Sequence, residues 1–172
     1  MKCPPSDTAY ATHPPPLSST TTNPALPQVY KVPAASCSDL ITTALSLGYR
    51  HIDTATAYKN ESACASAVHT ATTTGVPCAS GTGTTVIPRS EIFFTTKLWP
   101  RFRGYDETWN SIRRTIEENP GLGGYLDLFL IHAPYGGKEN RLEQWRAMRD
   151  AWRKGWIRSL GVSNYSWVFL TL

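Results

Sequence analysis

Four side chains suited to acid–base chemistry are spread along this chain of 172 residues: Asp53, Tyr58, Lys97 and His132. A phenol can hand a proton to a carbonyl oxygen, but its ordinary pKa of about 10 makes it a weak acid near neutral pH. An ammonium group beside it stabilises the phenolate and eases release of the proton. A carboxylate keeps that ammonium charged and in place. An imidazole can donate a hydrogen bond to the substrate oxygen as charge builds there. The set therefore reads as Tyr58 the acid, Lys97 its tuner, Asp53 the partner of Lys97, and His132 the group that orients the carbonyl. Proton transfer from a positioned group contributes about 10²–10⁴-fold. The carbonyl carbon also needs a hydride, which no side chain supplies, so a nicotinamide cofactor is implied. Each residue has a plainer use when taken alone. Asp53 can cap a loop, Lys97 can be a solvated strand end, His132 a satisfied core histidine, and Tyr58 a packing residue. The case for chemistry rests on all four falling at equivalent places.

Those places are set by alternating strands and helices. Ser38 opens a helical pattern through Leu40, Ile41, Ala44, Leu45 and Leu47, and Gly48 ends it. Residues 49–54 then read as a strand, and 60–72 as a second helix with Ala63, Ala67 and Val68 inward. Residues 73–86, TTGVPCASGTGTTV, lack periodicity and read as a loop, with Val86 to Ser90 as the connector into the next strand. Ile92 to Thr96 is a short strand ending at Lys97, and Glu107 to Glu118 a third helix broken by Asn119-Pro120-Gly121. Leu126 to Ile131 is a nearly continuous apolar run, as expected of a parallel strand covered on both faces, and His132 ends it. A fourth helix takes Leu142 to Lys154, and Ile157 to Val162 is a further strand with Ser163 and Asn164 at its C-terminal end. Strand and helix alternating through short links mean βαβ units and a parallel sheet with right-handed crossovers. A doubly wound sheet and a barrel both satisfy that alternation. In a barrel the active site forms where the strands end. Asp53, Lys97, His132, Ser163 and Asn164 each fall at such an end, with Tyr58 five residues past Asp53.

The remaining composition narrows the class. Apolar residues make up 41% and charged residues 17%, which suits a globular domain. The net charge of +4 has no nucleic-acid-like stripe behind it. Arg101, Arg103, Arg113, Arg114, Arg146, Arg149, Arg153 and Lys154 read as solvated helix faces, so no nucleic-acid partner is expected. Cys3, Cys37, Cys64 and Cys78 show no CxxC spacing, so neither a zinc site nor a disulfide framework is expected. No signal-peptide pattern or membrane-length apolar run is present, and a cytoplasmic location is the default expectation. The first ~28 residues, rich in Pro and Thr, are expected to be a low-complexity, disordered segment, leaving 29–172 as the folded part.

Four segments together resemble the aldo-keto reductase family. GYRHIDTATAYKNE at 48–61 is similar to its first signature, and EIFFTTKLW at 91–99 to its lysine strand. YLDLFLIHAP at 125–134 resembles its histidine strand, and WRKGWIRSLGVSNY at 152–165 its second signature. The segments occur in the family's order and span roughly 29–165. The resemblance implies reduction of an aldehyde or ketone, a small-molecule carbonyl, with NADPH and without a metal. It places the family's tetrad on Asp53, Tyr58, Lys97 and His132. It implies that Ser163 and Asn164 bind the nicotinamide carboxamide, with Asp53 close to the cofactor. It makes Tyr30, in VYKVP, and Trp99 substrate-pocket aromatics beside His132. Trp99 reads equally well as a rim packing residue.

The chain departs from the family at both ends. Ala25-Leu26-Pro27-Gln28 stands where the family has a Gly-rich first strand, and proline cannot donate to a central ladder. After Tyr165 the chain reads SWVFLTL. The family would continue there with a helix and more βα units, including the segment that grips the 2′-phosphate of NADPH. A full barrel has eight strands and about 250 residues. The expected fold is therefore α/β, an incomplete (β/α)8 TIM barrel of about four to five parallel βα units, read as a truncated gene model. The alternatives to an active reductase are a non-catalytic cofactor-binding or regulatory subunit and an inactive fragment. The oligomeric state and the particular carbonyl are open.

Overall fold

A computed structural model describes residues 29–78 and 83–170. The expected disorder of 1–28 lies outside the described residues. In chain order the elements are α1 (Ala34–Ser46), β1 (His51–Asp53), a 3-10 turn (Thr56–Tyr58), α2 (Glu61–Thr73), β2 (Val76–Pro77) and β3 (Thr84–Thr85). A 3-10 turn (Arg89–Glu91), β4 (Phe93–Leu98), α3 (Gly104–Glu118) and a 3-10 turn (Pro120–Leu122) follow. β5 (Leu126–Ile131), α4 (Gly137–Arg153), β6 (Ile157–Val162) and α5 (Trp167–Leu170) complete the chain. The strands β1, β4, β5 and β6 pair in that order, all parallel. The register sets Asp53 opposite Thr95, Lys97 opposite Leu130, and Ile131 opposite Val162.

The apolar run read from 126 to 131 is β5, and 157–162 is β6, with the expected bounds. The helices start earlier than their apolar patterns do. The buried positions of α3 are Thr108, Ser111, Ile112 and Thr115, and those of α4 are Gln144, Ala147, Met148 and Ala151. Both sets follow the i, i+3, i+4, i+7 spacing of one helix face. Leu142, taken as the start of α4, is exposed, and the five residues before it are already helical. Lys97 lies within β4, one residue before its end, and not past the strand. The expected loop 73–86 contains the small antiparallel hairpin β2–β3, with Val76 opposite Thr85. Gly75 makes its close approach possible. Its φ is +91° and a Cβ there would stand 2.8 Å from the backbone of Thr85. Residues 29–32 form a turn and not a strand: Val32 N donates to Val29 O at 3.1 Å and Val29 N to Asp53 O at 3.3 Å.

The core lies between the sheet and its helices. Ile52, Phe94, Leu98, Phe129 and Ile131 meet Ile41 and Leu45 of α1, Val68 of α2, Ile112 of α3 and Met148 of α4. α1 and α2 approach through small residues, and the buried Cys37 and Cys64 bring their Sγ atoms to 3.3 Å. Burial pushes both thiols up in pKa, which keeps them protonated.

A clasp of charges closes the end of the sheet where strands begin. Asp127 Oδ2 accepts from Arg89 Nη2 at 2.8 Å and from Phe94 N at 2.9 Å, while Arg158 Nη1 stands 3.5 Å from Oδ1. Arg89 also donates to the carbonyls of Leu122 at 2.9 Å, Ile92 at 2.5 Å and Tyr125 at 3.3 Å. The Tyr125 ring has the Arg89 guanidinium 4.2 Å and the Arg158 guanidinium 3.6 Å from its centroid. Val86–Ser90 is thus the expected connector into β4, anchored by Arg89. No helix among the described residues is long and apolar enough to cross a membrane.

Candidate active site

The opposite end of the sheet gathers the residues singled out for chemistry. Asp53 is the last residue of β1 and is nearly buried. β4 alternates its side chains between the two faces, so Lys97 projects opposite to Thr96. The Lys97 ammonium donates to Asp53 Oδ1 and, at 2.9 Å, to the carbonyl of Thr54. Those two acceptors leave one of its three protons for another partner. The pair is held by the backbone as well, since Thr54 N donates to Thr95 O at 2.9 Å.

The turn after β1 carries Tyr58. Its N–H closes the turn on Ala55 O at 2.9 Å, and Lys59 follows in the left-handed region with φ 58°. The Lys97 nitrogen stands 5.1 Å from the centroid of the Tyr58 ring. His132, directly after β5, meets the same ring nearly edge-on, at 5.7 Å between centroids and an interplanar angle of 78°. Tyr30 also packs on it, tilted, at 5.1 Å between centroids. Asp53, Tyr58, Lys97, His132 and Tyr30 are therefore one cluster. Trp99, partly buried one residue past β4, takes part in the following turn, its carbonyl accepting from Phe102 N at 3.0 Å.

His132 is the unsatisfied member of the cluster. Its Nδ1 is buried with no hydrogen-bond partner among the described residues. Burial lowers its pKa, the Lys97 ammonium lowers it further, and Asp53 opposes both. The ring is consequently neutral near pH 7 and carries one N–H donor. A carbonyl oxygen placed between this ring and the phenol would receive hydrogen bonds from both.

Ser163 and Asn164 directly follow β6, next to His132. Ser163 N donates to Ile131 O at 2.9 Å. Asn164, with φ 60°, turns its Nδ2 to His132 O at 2.8 Å and Ser163 Oγ at 3.1 Å. Its Oδ1 remains available as an acceptor and the Ser163 hydroxyl as a donor. An amide and a hydroxyl at one strand end suit a nicotinamide carboxamide, which presents both a donor and an acceptor. The orphaned His132 atom beside them fits a second molecule in the same place.

Sequence reasoning missed the residues that hold this cluster from behind. Asn60, read as the start of a helix, is buried. Its Nδ2 donates to the carbonyls of Val29 at 2.8 Å and Val32 at 3.0 Å, and its Oδ1 accepts from Thr54 Oγ1 at 2.9 Å. It fixes the turn that carries Tyr30. His51 Nε2 and Thr95 Oγ1 lie 2.7 Å apart, and Thr56, Glu61 and Thr96 form a further group. Their signal was their place in the segments 48–61 and 91–99, which hold His51, Thr56, Asn60 and Glu61, and Thr95 and Thr96.

The Aldo/keto reductase family profile matches residues 25–170. The chain belongs to the aldo/keto reductase family. Among curated relatives, a glyoxal reductase of Bacillus subtilis is 35% identical over 138 residues, covering 80% of this chain and 44% of that protein. An uncharacterised oxidoreductase of Saccharomyces cerevisiae is 38% identical over 136 residues, covering 79% and 45%. Among solved structures, an aldo/keto reductase from Brucella melitensis matches with a TM-score of 0.70 at 35% identity, over 85% of this chain and 51% of that one. The Bombyx mori aldo-keto reductase in complex with NADP matches with a TM-score of 0.70 at 29% identity, over 85% and 48%. The chain thus spans less than half the length of these curated relatives. Its four-stranded parallel sheet and helices are part of the family's barrel, an incomplete (β/α) barrel as expected, and the doubly wound alternative is set aside.

Proposed function

We propose that this chain carries the proton-transfer half of a carbonyl-reducing site and that NADPH is its reductant. NADPH, when bound, supplies the hydride to the carbonyl carbon. Tyr58 gives its hydroxyl proton to the carbonyl oxygen as charge develops there. Lys97, held by Asp53 and Thr54 O, stabilises the phenolate left behind. Neutral His132 donates to the same oxygen and fixes its direction. Ser163 and Asn164 hold the carboxamide of the nicotinamide, and Tyr30 and Trp99 flank the substrate. The observation that carries this reading is the Lys97 ammonium fixed by two acceptors 5.1 Å from the Tyr58 ring, with His132, its Nδ1 unpartnered among the described residues, against the same ring.

The substrate is an aldehyde or ketone, and the glyoxal reductase relative makes a small dialdehyde the first to try. The test follows NADPH absorbance with glyoxal and with an aromatic aldehyde. Turnover should fall about 10²–10⁴-fold in Tyr58→Phe. No consumption above that variant in the parent chain rejects the reading. Saturable NADPH binding without consumption would instead favour the cofactor-binding subunit.

A further inference from the structure

Glu61 opens α2, and hydroxyls from three other elements converge on its carboxyl. Thr96 Oγ1 of β4 donates to Oε1. Thr56 Oγ1 of the 3-10 turn and Thr115 Oγ1 of α3 each stand 3.5 Å from Oε2. Thr56 Oγ1 also reaches the carbonyl of Lys97 at 3.3 Å. Thr56 shares its turn with Tyr58, and Thr96 immediately precedes Lys97. The chain from Tyr58 to Lys97 passes through α2 and the β2–β3 hairpin, so backbone continuity does not set their spacing. Cross-links must, and this carboxyl is one of them.

We propose that Glu61 is a positioning residue: by bridging Thr56 and Thr96 it holds the turn bearing Tyr58 at a fixed distance from the strand bearing Lys97. The inference rests on reading Tyr58 as the acid and Lys97 as its tuner. The Glu61 carboxyl is enclosed by these hydroxyls. Burial raises its pKa, the nearby Glu118 charge adds to this, and the threonine hydroxyls oppose it. Lys59 and Arg114 line the same cleft as Glu118. The Thr56 hydroxyl stands between Glu61 Oε2 at 3.5 Å and Lys97 O at 3.3 Å, so it ties the carboxyl to the strand that bears Lys97. Glutamine keeps both an acceptor for Thr96 and a donor for Thr56.

The plainer role is a helix-end acid that joins α2 to α3 and adds only stability. The two roles part in a ring-labelled tyrosine NMR experiment on the full chain, with the Tyr58 signal assigned by its loss in Tyr58→Phe. The His132 and Tyr30 rings against Tyr58 displace that signal from its unfolded position. Thr56→Val and Glu61→Ala should move it back and broaden it. Both should lower turnover at saturating carbonyl by about 10–10²-fold, since misplacement of a reacting group by ~1 Å costs up to that much. KM should stay within about 2-fold. Glu61→Gln should restore signal and turnover. Thr115→Val should lower the melting temperature and leave the Tyr58 signal in place. The proposal is overturned if Thr56→Val leaves the Tyr58 signal unmoved, or if Thr115→Val moves it equally. Should Glu61→Ala fail to fold, Thr56→Val and Glu61→Gln decide alone. Absence of NADPH consumption in the parent would sink the reductase reading, whereas the Tyr58 signal judges the bridge either way.

Discussion

The two ends of the parallel sheet handle buried charge in opposite ways. Where the strands begin, Asp127 has two guanidinium groups and a backbone N–H on its carboxylate, and Arg89 also donates to three carbonyls. Where the strands finish, Asp53 and Lys97 are paired, but His132 keeps a buried nitrogen without a partner and Tyr30 is 57% exposed. A buried polar atom left without a partner costs about 1–3 kcal/mol. A fold tolerates that where a ligand recovers it. In barrels of this kind the strand beginnings serve stability and the strand ends serve chemistry. The difference between the ends teaches which charges to remove to test each role.

The largest effect should come from the closed end. Asp127→Ala strips a buried carboxylate from Arg89 and leaves the guanidinium uncompensated, a change worth about 3–5 kcal/mol in unfolding free energy. Urea unfolding measures it. Phe94, which Asp127 anchors, is three residues before Lys97, or ~10 Å along the strand. Sites so far apart are nearly independent. Asp127→Ala that folds should therefore keep the parent's Tyr58 NMR signal. A variant with unchanged stability but a displaced Tyr58 signal would reverse the assignment of the two ends.

A smaller effect of opposite sign is expected at the open end. His132→Leu removes the unpartnered nitrogen and places apolar surface against Tyr58. Stability should rise by about 1 kcal/mol, while carbonyl reduction falls. A loss of stability instead would mean that the imidazole has a structural partner and that the contrast between the ends is false.

How far the two ends could be read in advance follows from the kind of bond each uses. β5 was legible to the residue because a parallel strand covered on both faces needs nearly continuous apolar sequence; β6, with Arg158 and Ser159 exposed, was bounded instead by Gly155 before it and Ser163-Asn164 after it. α3 and α4 were read late because their inner faces are built from Thr, Ser, Gln and Ala, which carry little hydrophobic signal. That Asp53, Tyr58, Lys97 and His132 meet was legible because each stands at or just past the C-terminal end of a parallel strand. The Arg89–Asp127–Arg158 clasp and the Thr56–Glu61–Thr96 bridge were not. Both depend on hydrogen bonds between residues 31 or more apart or on common hydroxyls, and neither leaves a periodic trace. The Cys37–Cys64 contact is hidden for the same reason, its partners being 27 positions apart.

The smallest effect is one of pH. Burial is the first cause lowering the pKa of both His51 and His132. Around His51, Asp53 and Asp127 oppose that shift and Lys97 reinforces it; around His132, Lys97 reinforces it and Asp53 opposes it. The fold therefore prefers both rings neutral. Their contribution to stability is present above the ordinary histidine value of 6.5 and is lost as pH falls through the lowered folded values. Glu61 has the opposite sign. Its pKa is raised, so its contribution is present below the ordinary 4.5 and is lost as pH rises through the folded value. Unfolding free energy followed from neutral pH downward should decline through the histidine range in the parent. The decline should be shallower in His132→Leu, which keeps only the His51 share, and steeper in Glu61→Gln between the raised Glu61 value and 4.5, where the parent gains stability from that carboxyl as pH falls. An identical slope in His132→Leu would show that the open end carries no titrating group held neutral by burial. Its unsatisfied imidazole would then lose its claim to a waiting ligand.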